Sequence, residues 1–416
     1  MIFRTYLRCR GCGNPFIARF APDSTDGTNF YFPCPHCELP IRGQATGQDI
    51  HTHQMSFDCE VIPSNDAVEL RVVTVNPYVP AKHDADYDEP AKTSSIFILE
   101  FLLGERLLEY FNETGRAQEA VDEGWPVAQR LYEYYIEGNW TYFDRVGSEH
   151  FEAWPSVNTH HERTTLAHQA LSHFTSLIRG NLSESASRFV DHCMKKHVAA
   201  CREESYLEWL YSNRDDGTFA TLQRSIFDLI GLFISRFEMW KAGRLLRWVD
   251  SPTKLDDLTL FRDEFPGLRD LYQQAYEIIC KTLCYPIAAQ NTVKHHDPDD
   301  FGDVHPATSV VPLKFRPLNL KQFQQLSNAR KVAYVALVPS WEAAAERLEN
   351  DVRNPIGHAT VRHDLRTGRV VSDVNKTGLS YLEFVAKVFD MFELLCVALS
   401  VVKAVSVDSS LEIRRA

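Results

Sequence analysis

The chain has 416 residues, 44 Lys/Arg against 56 Asp/Glu and a net charge of −12 at pH 7. This length accommodates two to four domains with a sizeable core, and the net negative charge excludes a protein that coats polyanions by bulk attraction. No run of about 18 uninterrupted apolar residues occurs, which argues against a membrane span, and "MIFRTYLRCRGCG" lacks the apolar core of a secretory signal, so a cytoplasmic protein is expected.

Residues 1–60 are rich in Gly, Pro and aromatics, with strand-like pieces such as Asn29–Pro33. Cys9-x-x-Cys12 is followed, after 21 intervening residues, by Cys34-x-x-Cys37. Each C-x-x-C turns two sulfurs toward one point, and two such turns supply four thiolates in the tetrahedral array that suits Zn²⁺. In a reducing compartment the pattern points to metal binding before disulfides. The segment resembles a zinc ribbon, which implies a structural zinc that contributes folding energy to a small module. With 5 Lys/Arg against 6 Asp/Glu in residues 1–60 the module has no strong electrostatic footprint for nucleic acid. Cys59, Cys193, Cys201, Cys280, Cys284 and Cys396 read as core residues. His51 and His53 read as part of a polar loop.

The β-branched stretch Ala67–Lys82 suggests one or two strands, and the acidic, Pro-containing His83–Ser94 reads as a linker. From Ser95 onward, apolar residues recur at helical spacing. The expected helices are Ser95–Gly115, Val127–Gly138, Glu162–Gly180, Ser183–Asn213 and Thr218–Val249, then Leu268–Ala288 and Asn319–Val338. Ala288–Leu318 reads as a long loop, and His160-His161-Glu162 and His295-His296-Asp297 as solvated loops. Near the end come a hairpin over Thr360–Val371, with Thr367-Gly368 at its turn, and a final helix, Ser380–Val405, apolar almost all round. The fold class expected is mainly α: a small β zinc ribbon (1–60), short strands and an acidic linker (61–94), a middle helical domain (95–212) and a C-terminal helical bundle (213–416).

Charge is unevenly placed. Asp84–Glu152 holds 16 acidic against 5 basic residues, whereas residues 319–416 hold 13 basic against 11 acidic. The acidic stretch reads as linker and solvated helical face.

Between the helix expected over Trp341–Asp351 and the hairpin lies "RNPIGH", Arg353 to His358. Pro355 disfavours helix at Asn354, freeing Arg353 and Asn354 from the helix surface. Arginine offers a planar fork of donors to phosphate, and histidine exchanges protons near neutral pH. Arg362, His363, Arg366 and Arg369 follow as a basic strip suited to a polyanion backbone. A structural reading of the same residues has Arg353 paired with Glu349 or Asp351 and His358 ending a helical turn. Arg353-Asn354 with a histidine five residues after the arginine, in helical surroundings, resembles the R-x(4–6)-H signature of the HEPN superfamily over residues 219–410. That resemblance implies a helical bundle, a homodimer and a metal-independent endoribonuclease with Arg353, Asn354 and His358 as catalytic residues. It also implies RNA as partner, a role in toxin–antitoxin or antiviral abortive-infection defence, and a protein trigger or antitoxin. The alternative is a non-catalytic adaptor whose ribbon binds nucleic acid or protein and whose helices dimerise. No P-loop, G-x-G-x-x-G or G-x-S-x-G element is present.

Overall fold

The computed structural model describes residues 3–20, 28–46, 54–63, 70–77, 79–82, 95–249, 258–302, 316–338, 341–348, 361–372 and 378–410. Strands β1 (Phe3–Arg8), β2 (Pro15–Phe20), β3 (Thr28–Pro33), β4 (Pro40–Thr46), β5 (Gln54–Phe57), β6 (Glu60–Val61), β7 (Val72–Val75) and β8 (Ala81–Lys82) come first. Helices follow: α1 (Ser95–Leu103), α2 (Leu107–Glu119), α3 (Trp125–Glu137), α4 (Trp140–His150), α5 (His160–Arg179), α6 (Glu184–Ala200), α7 (Glu204–Asp215), α8 (Thr218–Ser235) and α9 (Phe237–Trp240). Then come β9 (Leu258–Thr259), α10 (Phe265–Thr282), α11 (Cys284–His295), α12 (Leu320–Gln325), α13 (Asn328–Val335) and α14 (Glu342–Leu348). The described chain ends with β10 (Val361–Asp364), β11 (Arg369–Ser372), β12 (Leu379–Ser380) and α15 (Tyr381–Ser409). The protein is thus mainly α with small β-sheets toward its N-terminal end. Among the described residues no helix is long and apolar enough to cross a membrane.

Several boundaries differ from expectation for local reasons. The helix expected over Ser95–Gly115 breaks earlier, at Gly104, whose φ of 54° leaves the helical region; α2 then passes through Gly115. Ser183–Asn213 is two helices, because α6 ends at Ala200 and α7 begins at Glu204. His160-His161-Glu162 is the first turn of α5 and not a loop. Thr159 caps it: the Thr159 hydroxyl accepts from the Glu162 amide at 3.2 Å and the Glu162 carboxylate accepts from the Thr159 amide at 2.9 Å. The expected loop from Ala288 is helical as far as His295, with buried Ala288, Ala289 and Thr292 on α11. The linker His83–Ser94 and the pair His51/His53 lie outside the described residues.

Two compact units form, neither from one continuous stretch. The first comprises Met1–Asn112, Arg236–Asp270 and Asn354–Phe389; the second comprises Glu113–Ser235, Leu271–Arg353 and Asp390–Ala416. In the first, β6-β1-β2-β7 form a sheet, antiparallel except for the parallel β2–β7 pair, and β3-β4-β5 form an antiparallel sheet. Alternation along these strands turns Leu7, Phe16, Phe20, Phe30, Phe32 and Val73 inward. Phe20 and Phe30 lie 4.6 Å apart between ring centroids. The expected hairpin is present, with Asp364 opposite Arg369, and β12 adds a third strand. Arg262 and Glu264, both buried, make two hydrogen bonds of 2.7 and 2.9 Å.

In the second unit, α15 is joined to both ends of α6. Near the start, the Ser183 amide and hydroxyl donate to the Glu393 carboxylate at 2.8 and 2.7 Å, and Arg347 of α14 pairs with both Glu393 and Asp390. Glu393 is fully buried, so this charge depends on donors such as the Ser183 amide and hydroxyl and the Arg347 guanidinium. Toward the far ends, His197 bonds Asp408 at 2.8 Å. The two contacts are 14 residues apart on one helix and 15 on the other, so the helices run side by side in parallel for about 21–22 Å at 1.5 Å per residue.

Candidate metal centre

The four cysteines sit in two matching turns. β1 and β2 end at the pair Arg8–Pro15, and β3 and β4 end at the pair Pro33–Pro40. Each hairpin therefore closes over six residues, 9–14 and 34–39, with cysteines at the first and fourth places. The backbone repeats as well. The Cys9 amide donates to the Asn14 carbonyl at 3.1 Å and the Gly13 amide to the Cys9 carbonyl at 2.9 Å. In the second turn the Cys34 amide donates to the Leu39 carbonyl and the Glu38 amide to the Cys34 carbonyl, both at 2.9 Å. Both turns need a left-handed residue just after the second cysteine: Gly13 has φ 74° and Glu38 φ 60°. Glycine adopts this without cost, whereas Glu38 carries strain.

These turns bring all four sulfurs within 4.8 Å of one another. Cys9 lies 3.8 Å from Cys37 and Cys12 lies 3.9 Å from Cys34. A tetrahedral ion with Zn–S bonds of about 2.3 Å sets its sulfurs about 3.8 Å apart, so the cluster is compatible with a structural metal site. Cys9 and Cys34 are buried and Cys12 and Cys37 exposed. Burial pushes the Cys34 thiol up to about 12. Burial also opposes ionisation of Cys9, but the amides of Cys12 and Gly11 hold that thiol below its ordinary value; the Gly11 amide donates to its sulfur at 3.3 Å. Four thiolate ligands would leave no open position for catalysis.

The catalytic candidates Arg353, Asn354 and His358 lie outside the described residues. Their described neighbours in sequence are α14, ending at Leu348, and β10, beginning at Val361. On the hairpin, Arg362 and Arg366 are exposed. His363 turns inward with Val361 and Leu365, its ring stacked on Tyr381 at 4.3 Å and edge-on to Tyr31 at 5.3 Å. Arg369 is half-buried and its guanidinium donates to the Gly378 carbonyl at 3.4 Å. The basic strip is therefore divided: Arg362 on β10 and Arg366 in the turn are exposed, while the histidine packs among aromatic rings.

A second group of ligand-type side chains was not apparent as a unit in the sequence: His197, Cys201 and Asp408, whose ligand atoms lie within 4.8 Å of one another. Cys201 is half-buried beside a histidine and a carboxylate, so it is not the plain core residue expected. The signal available in sequence was the four-residue spacing of His197 and Cys201, which puts them on one helix face. Asp408 is more than 200 residues away. Comparison with known proteins finds no matching family model, curated protein or solved structure.

Proposed function

We propose that this protein is a metal-independent endoribonuclease of HEPN type, with a structural zinc in its N-terminal ribbon. The observation that carries this reading is the motif Arg353-Asn354-x-x-x-His358 in its sequence setting. It follows α14, precedes the β10–β11 hairpin with its two exposed arginines, and is succeeded by the 29-residue α15.

In the reaction, the ribose 2′-oxygen attacks the adjacent phosphorus and the P–O5′ bond breaks, leaving a 2′,3′-cyclic phosphate and a 5′-hydroxyl. His358 exchanges the proton, taking it from the 2′-hydroxyl or giving it to the departing 5′-oxygen. Arg353 offsets charge on the phosphoryl oxygens, and Asn354 orients the phosphate or His358. Arg362 and Arg366 would steer the RNA backbone. The proposed setting is a cytoplasmic homodimer that acts as a toxic effector in antiviral defence, restrained or released by a protein partner.

The test is cleavage of total cellular RNA by purified protein in magnesium-free buffer, beside folded Arg353→Ala and His358→Ala variants. Cleavage with cyclic-phosphate ends, lost in both variants, supports the reading. Equal cleavage by all three overturns it. A second reading, a non-catalytic adaptor, is favoured by the exposed Arg10, Cys12 and Cys37 of the cysteine turns, which offer a binding edge. RNA binding without cleavage, unchanged in His358→Ala, would select it.

A further inference from the structure

We propose that His197, Cys201 and Asp408 form a second metal site, which holds a zinc-like divalent ion through one nitrogen, one sulfur and one oxygen and keeps a fourth position open. The site belongs to the second unit and stands independently of the ribonuclease reading.

Its geometry is that of an incomplete tetrahedron. His197 Nε2 lies 2.8 Å from Asp408 Oδ2 and 3.7 Å from Cys201 Sγ, and that sulfur lies 3.8 Å from the same carboxylate oxygen. Bonds of about 2.05 Å to nitrogen and oxygen and about 2.3 Å to sulfur, set on those separations, give angles at the ion of roughly 86°, 116° and 122°. Among the described residues no fourth His, Cys, Asp or Glu joins the group. Opening the nitrogen–oxygen pair by about 0.5 Å brings the smallest angle to the tetrahedral value.

Three further features support the assignment. His197 and Cys201 lie four residues apart at the end of α6, so one helix presents both ligands on one face. The other ring nitrogen of His197 is held by the buried Tyr206 hydroxyl at 3.0 Å, an outer contact that fixes the ring with Nε2 toward the cluster. The Ser183–Glu393–Arg347 network at the other end of α6 sets the register that puts Asp408 opposite His197. The Asp408 side chain is 35% exposed, so an ion can reach the cluster. The donor set of imidazole, thiolate and carboxylate suits zinc over magnesium or calcium. Binding releases the Cys201 thiol proton. The hydrogen that His197 Nε2 shares with Asp408 in the metal-free site must also leave Nε2, so that the ligating ring carries its hydrogen on Nδ1, where the Tyr206 oxygen accepts it.

Cobalt titration of the full-length, metal-stripped protein tests this. Charge-transfer absorption from sulfur to Co²⁺ grows with the number of thiolates, so the four-sulfur and one-sulfur sites are distinguishable. Wild type is expected to take up two equivalents, and Cys201→Ser and Asp408→Asn one. Asp408→Asn retains a hydrogen-bonding group, and an unchanged metal-free melting temperature verifies its fold. Tyr206→Phe should keep both equivalents while weakening the second about 10–100-fold. A single equivalent in wild type that disappears in Cys201→Ser supports this site and overturns the four-sulfur one. Uptake and spectrum unaltered by both Cys201→Ser and Asp408→Asn would overturn the proposal and leave a hydrogen-bonded trio only.

Discussion

Cys9, Cys12, Cys34 and Cys37 are carried by two turns, whereas His197, Cys201 and Asp408 are carried by two helices. The turns place their ligands through local backbone hydrogen bonds repeated in each six-residue loop. The helices place theirs through register, fixed by a buried network some 14 residues away. A turn-borne cluster is therefore fragile toward ligand loss and backbone strain. A helix-borne cluster is fragile toward anything that lets one helix slide on the other.

The largest expected effect strikes the turns. Structural zinc contributes about 10–16 kcal/mol of binding free energy in small zinc-binding peptides. Chelation, or Cys9→Ser with Cys34→Ser, should strip residues 3–20 and 28–46 of hydrogen-exchange protection. Retained protection there would show that the aromatic core around Phe20 and Phe30 suffices without a metal.

The helical counterpart is Arg347→Ala. It removes the Arg347 guanidinium from the fully buried Glu393, and breaking such a network costs about 3–5 kcal/mol. The denaturant midpoint should fall accordingly, and uptake of a metal at His197 should weaken with it. A midpoint unchanged by Arg347→Ala would mean that packing alone sets the register.

Acid sharpens the contrast further. His168, in the second unit, is fully buried, and burial, reinforced by Lys403, pushes it down to about 3. It stays neutral in the native state while the unfolded chain takes up a proton below about 6.5. Its contribution is therefore complete above about pH 6.5 and lost as pH falls toward 3, at up to about 1.4 kcal/mol per pH unit. His168→Leu should flatten that slope in urea melts between pH 6.5 and 4; an unaltered slope would point to another group.

The smallest effect returns to the turns. Glu38→Gly removes a left-handed strain of about 1–2 kcal/mol, less about 1 kcal/mol for the added freedom of glycine in the unfolded chain. The metal-bound protein should gain up to about 1 kcal/mol, read as a small rise in melting temperature. A loss would show that the Glu38 side chain makes a contact worth more than its strain.

Features that depend on near neighbours are legible in the amino-acid sequence. Paired C-x-x-C spacing announced the sulfur cluster, since each turn is a six-residue affair. Period-3.6 patterning announced the helices, and the Thr367-Gly368 turn announced the hairpin. Capping at Thr159 and the break at Gly104 were also local, and there the apolar pattern outweighed the cap and turn residues that mark the true ends. Pairing across distance emerges only once the chain is folded. Asp408 meets His197 across the parallel pair of α6 and α15, and Glu393 meets Ser183 by the same pairing. His363 turns away from the basic strip because strand alternation and Tyr381 claim its ring. Helix register and strand facing follow from the packing of whole elements, a sum of many contacts that no short stretch of sequence contains.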